Sequence, residues 1–196
     1  MIEISPKEIK GKWDKGFALD FHTVSSVCIG YDEYGHPQFD TKRTVMGELL
    51  YRLKYGQDRS VLEPIVATAA HFIKTKAWST DLLIPVAPSR FRRFQPVVAI
   101  AEQLAQALEV RFCGSCLVKV QDHPELKNIY EYEKRIKLLE GTFRVSRTDV
   151  ENKCVLLLDD LYRSGATMNA VSSALRERGN VARINVLALT RSRSIR

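Results

Sequence analysis

Two adjacent acids and a short loop of hydroxyl and small residues, Asp159-Asp160-Leu161-Tyr162-Arg163-Ser164-Gly165-Ala166-Thr167, are the part of this chain best equipped for chemistry. A carboxylate accepts hydrogen bonds from neutral hydroxyls, so a side-by-side pair suits a vicinal diol. Ser164 and Thr167 supply hydroxyl donors, while Gly165 and Ala166 let an anion approach the backbone. A monophosphate beside a diol describes ribose 5-phosphate.

Such a group works only if local structure presents it. Val155 to Leu158 is a continuous apolar run, which reads as a buried parallel strand delivering Asp159 and Asp160 to a sheet edge. Met168 to Arg178 reads as a helix closed by Gly179. A strand–loop–helix turn of this kind aims backbone N–H groups and a helix N-terminus at an anion. The chain has no GxxxxGK[ST] motif, and one glycine in the turn is too few for a dinucleotide fingerprint.

A pyrophosphate would need a second strand end. Ile84-Pro85-Val86-Ala87-Pro88-Ser89-Arg90 leaves an apolar strand, and Arg90, Arg92 and Arg93 follow within four positions. Guanidinium forks hold phosphate oxygens and stay charged. The segment from Lys119 to Arg135 is charged and poorly periodic, as an active-site cover would be, and Lys127 or Arg135 in it would meet a departing pyrophosphate.

The elements around these segments predict a doubly wound, mostly parallel α/β sheet. Strands are expected at 82–86, at 112 and 116–120, at 141–145, at 154–159 and at 182–189. Helices are expected from Thr44 to Lys54, from a Ser60–Glu63 capping box to Ile73, and from Pro96 to Leu108. Residues 1 to about 40 alternate apolar with polar and predict short strands or a hairpin, with a turn at Tyr34-Gly35-His36-Pro37. The division expected is a small N-terminal hood over residues 1–60 and a core domain over 61–196.

At 196 residues and 45% hydrophobic content the chain can bury a real core, which argues against disorder. No uncharged stretch is longer than twelve residues, too short to span a bilayer, and the first residues carry charge where a signal peptide needs an apolar region. Four cysteines without regular spacing fit reduced thiols in a cytoplasm. Cys113-Gly-Ser-Cys116 lacks the second pair that a closed zinc site needs and reads as two structural cysteines. A net charge of +7 fits an anionic substrate or a nucleic-acid partner, and Arg191, Arg193 and Arg196 read as a loose basic tail.

The run Val155–Thr167 resembles, without a gap, the signature by which type I phosphoribosyltransferases bind 5-phosphoribosyl 1-pyrophosphate (PRPP). The order of segments resembles the ComF-type branch of that family: a Lys54-Tyr55 element, the Ile84-Pro85-Val86 strand, Lys127-Asn128 through Arg135, and Gly141-Thr142-Phe143 before the acidic pair. The resemblance covers roughly residues 43 to 190. It implies a transferase with Asp159 and Asp160 on the ribose hydroxyls and Arg163, Ser164, Gly165, Ala166 and Thr167 on the 5′-phosphate. It places Ala87, Pro88, Ser89 and Arg90 on the pyrophosphate, with Mg2+ carried by PRPP. The zinc ribbon common in that branch is not expected, since residues 1–60 contain only Cys28. Arg93-Phe94-Gln95-Pro96 is a shortened counterpart of the branch's Arg-Gly-Phe-Asn-Gln element. The acceptor stays open, as do a homodimer and the alternative of a non-catalytic PRPP- or nucleotide-binding protein acting with DNA or a DNA-processing partner. Trp13, Phe17, Phe21 and Tyr31 are hood residues that would stack on a base, or else form the hood's own core.

Overall fold

The computed structural model describes residues 1–88, 93–120, 139 and 141–193. Its centre is a six-stranded sheet built from β1 (Lys7–Glu8), β2 (Lys15–Phe21), β5 (Leu82–Pro85), β6 (Arg111–Phe112), β9 (Cys154–Tyr162) and β10 (Arg183–Arg191). The strands lie in the order β1-β2-β10-β9-β5-β6, and every pairing is parallel except the short antiparallel edge of β1 on β2. This is the doubly wound sheet the sequence predicts. Two further ribbons stand apart from it: β3 (Thr23–Tyr31) with β4 (Pro37–Arg43), and β7 (Leu117–Lys119) with β8 (Phe143–Val145).

Pleat alternation divides the core. Leu156, Leu158, Leu187 and Leu189 point to one face, where they meet Met46, Leu50 and Leu53 of α1 (Val45–Tyr55). The same face packs α2 (Leu62–Lys76) and α3 (Pro96–Leu108). Val155, Leu157, Ile184 and Val186 point the other way, onto Met168, Val171 and Leu175 of α5 (Ala166–Glu177). A short helix α4 (Arg147–Val150) precedes β9. Strands buried on both faces need near-continuous apolar runs, and β9 and β10 have them.

The N-terminal segment is divided between two structures. Residues 7–21, inside the stretch expected to form a hood, supply two strands of the central sheet, with Ala18 beside Ala188 and Phe21 beside Arg191. Trp13 is a core residue whose indole N–H donates to the Ile9 carbonyl at 3.0 Å. Phe17 packs against Phe72 of α2, with ring centres 5.4 Å apart. Only β3 and β4 project as a ribbon, whose tip carries the exposed Tyr31. Its turn closes at 32–36, where the Asp32 amide donates to the His36 carbonyl at 2.9 Å and the Asp32 carboxylate accepts from the Tyr34 and His36 amides.

Three local expectations change. The cap of the second helical segment is Asp58, not Ser60: its carboxylate accepts from the Ser60 amide at 3.0 Å and starts a single 3₁₀ turn, Arg59–Val61, before α2. An ionised carboxylate two residues earlier is the better acceptor for those free amides. Cys113 and Cys116 are joined in a disulfide, not held as reduced thiols; their Cα atoms lie 5.6 Å apart, inside the range such a bond needs. Arg191 is the last residue of β10 and not part of a loose tail, while Arg196 lies outside the described residues. No helix among the described residues is long and apolar enough to cross a membrane.

Candidate functional site at the carboxyl ends of the strands

β9 runs longer than its apolar stretch, so Asp159 and Asp160 lie within the strand. Register with β10 explains this: Ala188 pairs with Asp159, Thr190 with Leu161 and Arg191 with Tyr162, so the ladder continues past the acids. The Thr190 hydroxyl donates to the Asp160 carbonyl at 2.8 Å. Asp159 Oδ1 accepts from the Asp160 amide at 2.8 Å. The two carboxylates are thus fixed by backbone contacts at the end of the sheet where open α/β folds take ligands.

Their charges are managed differently. Asp160 Oδ2 accepts from Lys54 Nζ at 2.8 Å, an ion pair about two-thirds or more buried (side chains 20% and 32% exposed). Lys54 reaches it from the last turn of α1, whose start is set by Thr44. The Thr44 hydroxyl accepts from the Gly47 amide at 3.1 Å and donates to the Phe21 carbonyl at 2.6 Å, tying the helix to the end of β2. Asp159 keeps some solvent-accessible area but is hemmed in by protein, and the crowding governs its titration. Removal from water first, and then the like charge of Asp160, push its carboxyl well above the ordinary aspartate range; Lys54 opposes the shift.

In the sequence Lys54 stands out only as part of a resemblance, and its role as counter-ion to Asp160 emerges from the fold. The pair is separated by 106 residues, so no local spacing announces it. Replacing Lys54 with Met is expected to lower unfolding free energy by about 1–2 kcal/mol, between the values for exposed and buried pairs. It should also push Asp159 further up. Urea denaturation, with NMR titration of the aspartates, checks both.

The loop after β9 turns at Gly165, which adopts φ +78°, ψ −2°. α5 begins immediately after it, with the Asn169 amide donating to the Gly165 carbonyl at 2.8 Å. Its N-cap residue is a glycine with no side chain to offer, and the first-turn amides of Ala166, Thr167 and Met168 form the N-terminal end of the helix dipole. Ala166 is buried, Ser164 and Thr167 are half-buried, and Arg163 is exposed. The loop is braced from the N-terminal segment: Asn169 Oδ1 accepts from the Lys12 amide at 2.8 Å, and Arg176 pairs with Asp14 at 2.8 Å.

The exit of β5 comes to the same edge. Pro85 pairs with Leu158, and the Val86 amide donates to the Leu158 carbonyl at 2.8 Å, which brings Ala87 and Pro88 alongside the acidic end of β9. Ser89 and Arg90 of that loop, and Lys127 and Arg135 of the expected cover, lie outside the described residues. The structure also brings in His22, which its sequence context does not mark. Its Nδ1 lies 3.1 Å from the Thr190 hydroxyl, the same hydroxyl that donates to the Asp160 carbonyl.

Comparison with known proteins agrees with the resemblance in the sequence. Competence protein ComFC of Bacillus subtilis (strain 168) is 26% identical over 158 residues, 78% of this chain. The chain is similar to a ComF-type protein. It spans 62% of that relative's length. No family model matches. Among solved structures, an adenine phosphoribosyltransferase is 14% identical with a TM-score of 0.48, each chain covered to 87%. Another, from Thermoanaerobacter pseudethanolicus, is 17% identical with a TM-score of 0.47, covering 86% of this chain and 95% of its own. The architecture rests on the strand order above and not on these scores.

Proposed function

We propose that the chain is a phosphoribosyltransferase that takes Mg·PRPP, transfers the 5-phosphoribosyl group to a nucleophilic acceptor and releases pyrophosphate. The observation that carries the reading is a crowded, like-charged carboxylate pair near the end of β9, followed in the chain by a helix N-terminus that opens at Gly165. A fold that crowds one aspartate against another loses stability that ligand hydroxyls can restore. Asp159 and Asp160 would accept from the ribose 2′- and 3′-hydroxyls, and the amides and hydroxyls of Arg163 to Thr167 would donate to the 5′-phosphate.

In the reaction the bond from C1 to the pyrophosphate oxygen breaks, its electron pair leaves with pyrophosphate, and the acceptor's lone pair forms the new bond to C1. The positive charge that develops on the ribose is favoured by the nearby carboxylates, and the chain otherwise positions the reactants. Ala87 and Pro88, continuing into Ser89 and Arg90, would hold the leaving group. Mg2+ would arrive on PRPP oxygens, as a hard cation suited to phosphate ligands. Lys127 and Arg135 keep their proposed role in covering the site, and a cytoplasmic location and a homodimer remain part of the reading.

The similarity to a competence protein favours a second reading, in which PRPP or a nucleotide is bound without transfer and the chain serves DNA uptake or processing through a nucleic-acid or protein partner. Calorimetric titration with Mg·PRPP, followed by a pyrophosphate-release screen over amines and heterocyclic bases, separates the two. Saturable binding with release supports the transferase, and binding without release for any acceptor supports the second reading. No binding of Mg·PRPP by folded protein sinks the transferase and leaves the second reading only in its nucleotide-binding form.

A further inference from the structure

The sheet edge carries one charged group that neither the diol nor the phosphate reading uses. Register places Phe21 opposite Arg191, and Arg191 opposite Tyr162, so these side chains form a row across the carboxyl ends of β2, β10 and β9. The guanidinium carbon of Arg191 lies 5.7 Å from the centre of the Phe21 ring and 5.9 Å from that of Tyr162. Its Nε is buried and meets no hydrogen-bond acceptor among the described residues. A buried charged donor without an acceptor is rare in a folded protein and asks for a ligand.

Basic side chains gather here, beside the buried Asp20, whose carboxylate accepts from the Phe21 amide at 2.7 Å. The Arg193 guanidinium covers the Phe21 ring at 4.6 Å and is anchored by its Nε donating to the Thr23 carbonyl at 2.7 Å. Arg43 also has a buried Nε without an acceptor among the described residues, and its carboxylate neighbour, Glu48, is 3.6 Å away and half exposed. His22, next to Phe21, reports the same field. Burial and then Arg43 and Lys54 hold its imidazole below the ordinary value, against the opposing pull of Asp160.

We propose that Arg191, with Phe21 and Tyr162 beside it, binds a carboxylate carried by a planar acceptor. A guanidinium presents a flat fork that matches a carboxylate, and aromatic neighbours suit a flat ligand body. Gly165, in the loop assigned to the 5′-phosphate, packs on the same tyrosine, where a Cβ would sit 2.7 Å from the Tyr162 hydroxyl. The Arg191 guanidinium leaves β10 between the Phe21 ring of β2 and the Tyr162 ring of β9. The inference rests on the transferase reading for calling the ligand an acceptor, but not for the charge that ligand carries.

The test uses matched pairs differing only in charge: benzoate against benzamide, nicotinate against nicotinamide, and orotate against orotamide. Each is titrated calorimetrically into wild type and into Arg191→Gln and Arg191→Lys variants, with and without Mg·PRPP. The expected result is a preference of at least about tenfold for the carboxylate in one or more pairs. Arg191→Gln should erase it and Arg191→Lys should keep part of it. Equal binding within every pair, no binding in any pair, or a preference that survives Arg191→Gln overturns the proposal. Wild-type titration with Mg·PRPP alone judges the transferase reading separately, since a charge preference lost with Arg191 would stand even if PRPP did not bind.

Discussion

Replacing Asp159 with Asn is expected to make the protein more stable and far weaker in binding Mg·PRPP. The crowded carboxyl of Asp159 is held above its ordinary value, first by removal from water and then by Asp160. A raised carboxyl favours folding below its unfolded value, and that benefit is lost as pH rises through the folded value. At neutral pH the ionised form therefore opposes the fold. Asn removes the charge and keeps an oxygen to accept from the Asp160 amide. The melting temperature at neutral pH should rise by at least about 2 °C, the shift that roughly 1 kcal/mol produces in a domain of this size. The gain should shrink as pH falls and wild-type Asp159 takes up its proton. Affinity for Mg·PRPP should fall about 100-fold, since charge-assisted hydrogen bonds to the diol are lost. Wild-type affinity should also weaken on acidification, because the diol is accepted by the ionised form, and this dependence should be much reduced in the variant. Calorimetry across pH, paired with thermal melts, measures both. A variant that binds PRPP as wild type does would remove Asp159 from the site.

Such opposition between stability and binding shows why some of this molecule is legible in the sequence and some is not. The strand Val155–Leu158, the acids after it, the glycine turn and the helix behind it are contiguous, so spacing and composition reveal the unit. The helix α1 is equally local, with Thr44 ahead of it and Gly56 after it. What stays hidden depends on distant pairing. β2 joins the sheet only because β10 lies parallel to it, and its mixed alternation resembles that of a solvent-facing hairpin. Lys54 reaches Asp160, and His22 reaches Thr190, across more than a hundred residues. Arg191 reads as the start of a basic tail until the ladder with Tyr162 and Phe21 shows it to be a strand residue. The disulfide is hidden for another reason: its spacing is visible, but its oxidation state is not a property of spacing.

Gly165 offers a sharper test of the loop itself. Its φ of +78° lies in the left-handed region, and a Cβ there would sit 2.7 Å from the Tyr162 hydroxyl and 3.0 Å from the nearest ring carbon. Gly165→Ala must bear the conformational cost, about 1 kcal/mol, and displace either the ring or the loop. Total destabilisation of about 1–3 kcal/mol is expected in urea denaturation. Binding should suffer through geometry. The first-turn amides of α5 can hold a phosphate only if Gly165 keeps the backbone open to it, so affinity for Mg·PRPP should fall tenfold or more while Asp159 and Asp160 are untouched. The partner variant Tyr162→Ala separates the two costs. In the double variant the steric clash is gone and the left-handed cost remains, so Tyr162→Ala should cost less when Gly165→Ala is already present than it does in wild type. A coupling of at least about 0.5 kcal/mol in that direction is what contact between the two positions requires. Strict additivity would mean that Tyr162 does not constrain the glycine. The loop's shape would then be set by α5 and its brace to Lys12 alone.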